Sequence, residues 1–282
     1  MHGETPKGVN PDHSLLAICA VAYHRAGAAR WRLAAGCANI ARHFGARRHR
    51  PRFLSQEFIV SAAAPASFTL YVDAQFTSPY ALSVFVTLRE KGLPFDLRTV
   101  DLWQGAHHET GYADLSLTRR VPTLVHGDFT LSESSAITEY LETISPAVPV
   151  YPVDVRERAR ARQVQAWLRS DLGALREDRS TEVIFYGPTD KPLSDAGYAA
   201  ASKLIAIAQS LLPEGRTSLF DQWCIADVDL ALMLNRLVYN DDVVPPALVE
   251  YARRQFTRPA VQEWIAMTRP SRPGDLVDGK AA

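Results

Sequence analysis

The sequence predicts an α+β domain of order βαβ–ββα followed by an all-α helical bundle domain. Three observations carry this. Between Phe68 and Val100 the apolar pattern runs from strand-like alternation to a helical spacing and back. Between Pro122 and Leu131 two short apolar runs flank a turn. After the proline-rich stretch "SPAVPVYPVD", residues 145–154, no strand pattern recurs.

Each element has its own signal. Phe68–Asp73 alternates apolar with small or polar residues between turn formers and reads as a strand. Pro79–Lys91 carries Leu82, Val84, Phe85, Val86 and Leu88 and stops at Gly92, a helix with a glycine C-cap. Phe95–Val100 is the second strand, and strand–helix–strand at this length makes a parallel pair. Residues 103–118 read as irregular and polar. Pro122–Val125 and Phe129–Leu131 form a hairpin around His126-Gly127-Asp128. Glu133–Ile144 is helical, with Ala136, Ile137, Tyr140 and Leu141 on one face.

Beyond the linker, Val155–Glu177 reads as one long helix through Val164, Trp167, Leu168, Leu172 and Leu175. Ala196–Leu212 is a second helix. Ile225–Val238 is apolar on nearly every side and should lie at the bundle centre. Pro245–Arg254 and Pro259–Met267 are shorter helices. The expected boundaries are a basic extension at 1–65, a first domain at 66–147, a second at 153–270 and a frayed tail at 271–282.

The 282 residues carry 31 basic and 31 acidic side chains, so no global charge points to nucleic acid. The balance is uneven along the chain. Residues 1–65 hold nine basic against three acidic residues, and the remainder is net acidic. The run "RERARAR" at 156–162 reads as a solvated helix face. "SLLAICAVA" at 14–22 is too short to span a membrane. Three readings fit the basic arm: a mis-assigned start with the functional protein beginning near Val60, a targeting segment, or a functional tail. Cys19, Cys37 and Cys224 form no CxxC pair and no zinc spacing, which fits a reducing, cytoplasmic setting.

Ser78 and Pro79 open a helix directly after a strand. A serine cap with proline in the first helical position is a favoured arrangement. It also puts a hydroxyl at the positive end of a helix.

A βαβ–ββα unit joined by prolines to an all-α domain resembles the glutathione transferase family, whose first domain is thioredoxin-like. The likeness runs from about residue 68 to residue 270. Arg120-Val121-Pro122-Thr123-Leu124 matches the family's Val-Pro at the third strand. The resemblance implies a cis bond there and pairing of the Val121 main chain with glutathione. Glu133-Ser134, opening the next helix, matches the acid–serine pair that holds the γ-glutamyl end; a plain cap by Ser132 or Ser134 is the alternative. "WCIADVDLAL" at 223–232 matches the family's helix-capping box, with Asp227 in place and Cys224 where a hydroxyl residue is usual. That half of the box should be weaker.

The resemblance implies attack by the glutathione thiolate on a small hydrophobic electrophile, or reduction of a hydroperoxide, in a serine-type bacterial enzyme. Glutathione would be the co-substrate, with no metal, no nucleic acid and no membrane, in a homodimer. Ser78-Pro79-Tyr80-Ala81 stands where glutaredoxins carry Cys-Pro-Tyr-Cys, so the thiols for dithiol exchange are missing. The group addressing the bound thiol is Ser78, Thr77 in the register of several serine-type members, or backbone N–H. His107, beside His108, Trp103 and Gln104, lies where the family contacts the glycine carboxylate. Tyr80, Phe76 and the helix near Trp167 should supply apolar substrate contacts, and Arg119-Arg120 either shape an anionic site or flank the strand. The rival class is a transferase-like scaffold that binds other proteins.

Overall fold

The computed structural model describes residues 67–213 and 215–272. Expectations for the basic arm, a start near Val60 and the tail beyond Arg272 lie outside these residues. The first domain contains β1 (Phe68–Asp73), α1 (Pro79–Glu90), β2 (Phe95–Val100), α2 (Thr110–Ala113), β3 (Thr123–His126), β4 (Phe129–Ser132) and α3 (Ser134–Ile144). The sheet order is β2-β1-β3-β4. β1 and β2 are parallel, with Leu70 opposite Leu97, and the other two pairs are antiparallel. The tight β3–β4 turn pairs His126 with Phe129, and Gly127 takes a positive φ of 62°.

The expected run 103–118 is not irregular throughout. It contains a 3-10 turn at Ala106–His108 and α2. These elements are too short to generate a periodic signal. They are tied down by polar contacts. Asp101 Oδ1 accepts from the backbone of Trp103 and Gln104, and the Tyr112 hydroxyl donates to the Arg120 carbonyl at 2.7 Å.

α1 is buried along its whole length from Ala81 to Leu88 because it has partners on several sides. The sheet covers one side, and α3 and two later helices, α8 (Ile225–Val238) and α10 (Pro259–Ile265), cover others. Fully burying a leucine or phenylalanine stabilises by about 1.5–3 kcal/mol each; Leu82, Phe85 and Leu88 are all buried, and Phe85 packs against Trp264 of α10 at 5.3 Å between ring centroids. Lys91, just beyond α1, is buried and satisfied. Its Nζ reaches Glu142 at 2.6 Å and the carbonyls of Ser145 and Val148 at 2.7 and 2.8 Å. Glu142 also accepts from the Val150 N–H, which fixes the linker.

The helical domain adds α4 (Val155–Ser170), α5 (Gly173–Asp178), α6 (Glu182–Phe185), α7 (Asp195–Leu211) and α9 (Pro246–Phe256) to α8 and α10. The single helix expected over Val155–Glu177 is two. The chain breaks at Leu172, with φ −83° and ψ 39°. Asp171 turns aside to accept from Trp167 Nε1 at 2.8 Å and to pair with Lys203, while Arg176 Nη1 satisfies the Leu168 carbonyl. Leu168, Leu172 and Leu175 all stay buried across the break, which is why the apolar spacing did not reveal it. α8 is buried almost throughout, as its composition requires.

α7 starts on a crowded cap. Ser194 Oγ accepts from the Gly197 N–H and donates to Asp178 Oδ2, which also accepts from the Ser194 N–H. These bonds hold the Asp178 carboxyl down to about 2. A Cβ on Gly197 would lie 2.0 Å from Asp178 Oδ2. Gly197→Ala should therefore destabilise the protein by about 1–3 kcal/mol. A lower urea midpoint with an unchanged slope would show it, and an unshifted midpoint would refute it.

Candidate active site

The site begins at the β1–α1 turn. Asp73 ends β1 with its side chain 1% exposed. Its Oδ2 accepts from the Thr77 N–H at 2.6 Å, the Ser78 N–H at 3.1 Å and the Thr77 hydroxyl at 3.1 Å. Burial pushes the Asp73 carboxyl up, against the pull of these donors. Phe76 takes a positive φ of 48° to make the turn. Its carbonyl accepts from Trp264 Nε1 at 3.0 Å and from Arg269 Nη2 at 3.2 Å. The turn is thus held from below by Asp73 and from the side by the end of the helical domain.

Ser78 takes the N-cap position, with Pro79 at N1. Its Oγ accepts from the Ala81 N–H at 3.2 Å. A hydroxyl that accepts in this way still has its proton to donate. The cavity beside it, of about 900 Å³, is lined by Ser78, Pro79 and Tyr80 on this side. Thr77 is not on the cavity wall; its hydroxyl is turned to Asp73.

The opposite wall is the chain leading into β3. The Val121–Pro122 peptide is cis. Among the described residues the Val121 main chain makes no hydrogen bond, so an extended ligand finds a free strand edge. Glu133 and Ser134 form a third side. Glu133 has a left-handed φ of 75°, stands at the N-cap of α3 and makes no side-chain cap bond. The alternative of a plain cap by Ser132 or Ser134 does not form: Ser132 ends β4 and Ser134 is already the first helical residue. The amino end of α3 therefore carries no side-chain cap, and a helix end of that kind suits an anionic group.

His107 and His108 close the cavity with Arg119 and Arg120. The His107 Nδ1 is buried without a partner. Burial, then His108 and Arg120, hold its pKa below the usual imidazole value. Three arginines, Arg119, Arg120 and Arg169, face one acid, Glu133, so the lining favours anionic ligands.

The structure brings Ser78, His107, Val121, Pro122, Glu133 and Ser134 to one cavity. Some expected neighbours are elsewhere. Phe76 packs edge-on against Trp264 at 5.5 Å, in the seam between domains. Trp167 turns to Asp171, and Trp103 stacks loosely toward Tyr186 at 6.4 Å. Of the apolar contacts expected, Tyr80 lines the cavity, and the helix near Trp167 reaches it through Arg169 and not through Trp167. Sequence reasoning missed Arg169 and Leu102. Arg169 has its guanidinium 5.7 Å from the Tyr80 ring centroid, and its only sequence signal is its phase on a helix whose other face is buried.

Asp227, the acid of the capping box, accepts from the Cys224 N–H at 2.9 Å, the Leu219 N–H at 2.7 Å and the Tyr251 hydroxyl at 2.8 Å. Cys224 is a buried free thiol, pushed well above its ordinary pKa by that burial. Among the described residues no group of three or more His, Cys, Asp or Glu side chains is placed to hold a metal, and no helix is long and apolar enough to cross a membrane.

Comparison with known proteins agrees with this geometry. Residues 77–144 match the N-terminal domain of glutathione S-transferases and residues 154–269 the C-terminal domain. Human glutathione S-transferase theta-1 is 39% identical over 105 residues, covering 36% of this chain and 42% of that protein, so this match spans less than half of the curated relative. A glutathione transferase homologue from Burkholderia gl BGR1, solved with bound glutathione, is 48% identical, with a TM-score of 0.60 over 71% of this chain and 96% of that one. A zeta-class maleyl pyruvate isomerase shares the fold at 22% identity and a TM-score of 0.59, covering 72% of this chain and 100% of its own. Both domain types, in order, and close identity over nearly the whole of a solved relative place this chain in the glutathione transferase family.

Proposed function

We propose that the protein binds glutathione in the cavity beside Ser78 and joins it through its sulfur to a small electrophile. One observation carries the reading. A free strand edge at Val121, an uncapped helix end at Ser134 and a hydroxyl at the amino end of α1 line a single cavity. These are the three things an extended, zwitterionic thiol peptide needs. Val121 pairs with its cysteinyl unit, α3 takes the γ-glutamyl carboxylate, and Glu133 takes the ammonium group. His107, with Arg119 and Arg120, faces the glycine carboxylate.

Ser78 then donates to the sulfur. A free thiol has a pKa around 8.5 and is mostly protonated at neutral pH. A hydroxyl donor and a helix amino terminus both favour the thiolate. The thiolate attacks the electrophilic carbon, a C–S bond forms, and the leaving group departs with its electron pair. With a hydroperoxide the same thiolate attacks oxygen, and a second glutathione completes its reduction to an alcohol and water with formation of glutathione disulfide. The absence of cysteine from Ser78-Pro79-Tyr80-Ala81 disfavours dithiol exchange at this turn. A homodimer in a reducing cytoplasm belongs to the same reading.

Titration calorimetry with glutathione, followed by turnover of aryl halides, benzylic halides and cumene hydroperoxide, tests it. Glutathione binding with turnover of at least one acceptor is expected. No heat at millimolar glutathione would favour a scaffold that has kept the fold and lost the chemistry.

A further inference from the structure

α8 carries a buried cation without an anion. Arg236 is 3% exposed. Its Nη1 donates to the Arg179 carbonyl at 2.7 Å, while its Nε is buried with no hydrogen-bond partner. The groups that act on its charge are Tyr80 and Arg176, neither of them a carboxylate. Burial lowers its pKa to about 10. A guanidinium left in that state is costly, and a protein interior normally supplies a counter-charge.

Arg236 borders a narrow chamber of about 20 Å³. That volume admits roughly one water-sized group, the end of a molecule rather than the whole of one. Tyr80, Leu168, Arg169, Asp229 and Leu232 also line it. Pro79, Tyr80 and Arg169 are shared with the main cavity, so the chamber lies next to the amino end of α1. Asp229 is the acid on its wall. That carboxyl already accepts from Gln165 Nε2 at 2.7 Å and stands 3.9 Å from Arg169 Nη2, and burial pushes its pKa up. Two arginines against one engaged carboxyl leave the chamber net positive and Arg236 unanswered.

We infer that the second substrate of this transferase carries a carboxylate, one oxygen of which enters the chamber and accepts a hydrogen bond from Arg236 while the electrophilic end stays in the main cavity beside Ser78. The inference rests on the transferase reading and narrows it from a hydrophobic electrophile to one with an anionic end. A guanidinium N–H bonded to a carboxylate oxygen is charge-assisted and stronger than the same bond to a neutral acceptor.

The test uses a probe that cannot react. The full-length protein is titrated by calorimetry with 4-methylbenzoate and, separately, with its neutral methyl ester. The acid should bind at least about tenfold more tightly than the ester. Arg236→Met should remove that preference, with the affinity for glutathione unchanged as a check on the fold. An acid that binds no better than the ester would overturn the inference, as would a preference that survives in Arg236→Met. That last result would leave Arg236 as a tie to the Arg179 carbonyl and no more. Should Arg236→Met fail to fold, Leu232→Phe fills the chamber without altering charge, and it must abolish the preference too. Failure of glutathione to bind would sink the transferase reading but leave the acid–ester comparison to be scored by itself.

Discussion

Replacing Ser78 with alanine is expected to lower kcat/KM at mildly acidic pH by about 10- to 100-fold, because each unit by which the bound thiol's pKa rises is a factor of ten in thiolate. The kinetic pKa seen in a pH–rate profile should move up by about one to two units, toward or past the free-thiol value. Above that pKa the variant should recover most of the difference, since the thiolate then forms unaided. Glutathione affinity should change little, as its carboxylates and main chain are held elsewhere. Ser78 also caps α1 by accepting from Ala81. Alanine will therefore cost about 1 kcal/mol of stability as well, too little to unfold the protein. Thr77→Val is the control, because the Thr77 hydroxyl is committed to Asp73 and stands off the cavity wall. Its kinetic pKa should stay in place. If instead Ser78→Ala keeps the wild-type profile and Thr77→Val loses it, the hydroxyls have been assigned the wrong way round. If neither moves, backbone N–H groups hold the sulfur.

The largest structural effect should come from Asp227→Ala. Its carboxylate is the shared acceptor for the Cys224 and Leu219 N–H groups and the Tyr251 hydroxyl, all in the buried interior. Removing it orphans three donors, each worth roughly 1–3 kcal/mol when left unsatisfied in the interior. Against this, the charge itself is expensive to bury, and its pKa is pushed up for that reason. A net loss of about 3–5 kcal/mol is expected, a large part of the 5–15 kcal/mol that typically separates a domain from unfolding. Thermal and urea unfolding would measure it. A loss below about 1 kcal/mol would mean that water or rearranged side chains replace the carboxylate, and that α8 does not depend on its cap.

Most of the fold was legible where pattern and punctuation agree. β1, α1 and β2 were readable because strand alternation, a proline entry and a glycine exit mark each boundary. The α4–α5 break was not, because burial of Leu168, Leu172 and Leu175 continues through it and only polar side chains register the change of path. The short elements between Ala106 and Ala113 fell below the length at which periodicity speaks. In the site, Ser78 was suggested by its turn and helix-end context, and Val121, Pro122, Glu133 and Ser134 by the family resemblance; all five line the one cavity. Arg169 and Arg236 were not suggested, because each contributes through a single side chain projecting from a helix whose spacing is set by packing. At α3, serines flank Glu133 on both sides, and only the backbone torsions show that Glu133 takes the cap position.

The Phe76 carbonyl is gripped by Trp264 across a sequence separation of 188 residues. The ribosome delivers these groups in order. At roughly 5–20 residues per second, the β1–α1 turn leaves the exit tunnel about 10–40 s before the tryptophan that holds it. For that interval the nascent chain has its first strand, its first helix and the serine between them, but no clamp on the loop, and the apolar side of α1 meant for α8 and α10 is still uncovered. Completion of this turn is therefore a late event in the life of each molecule, set by the arrival of α10.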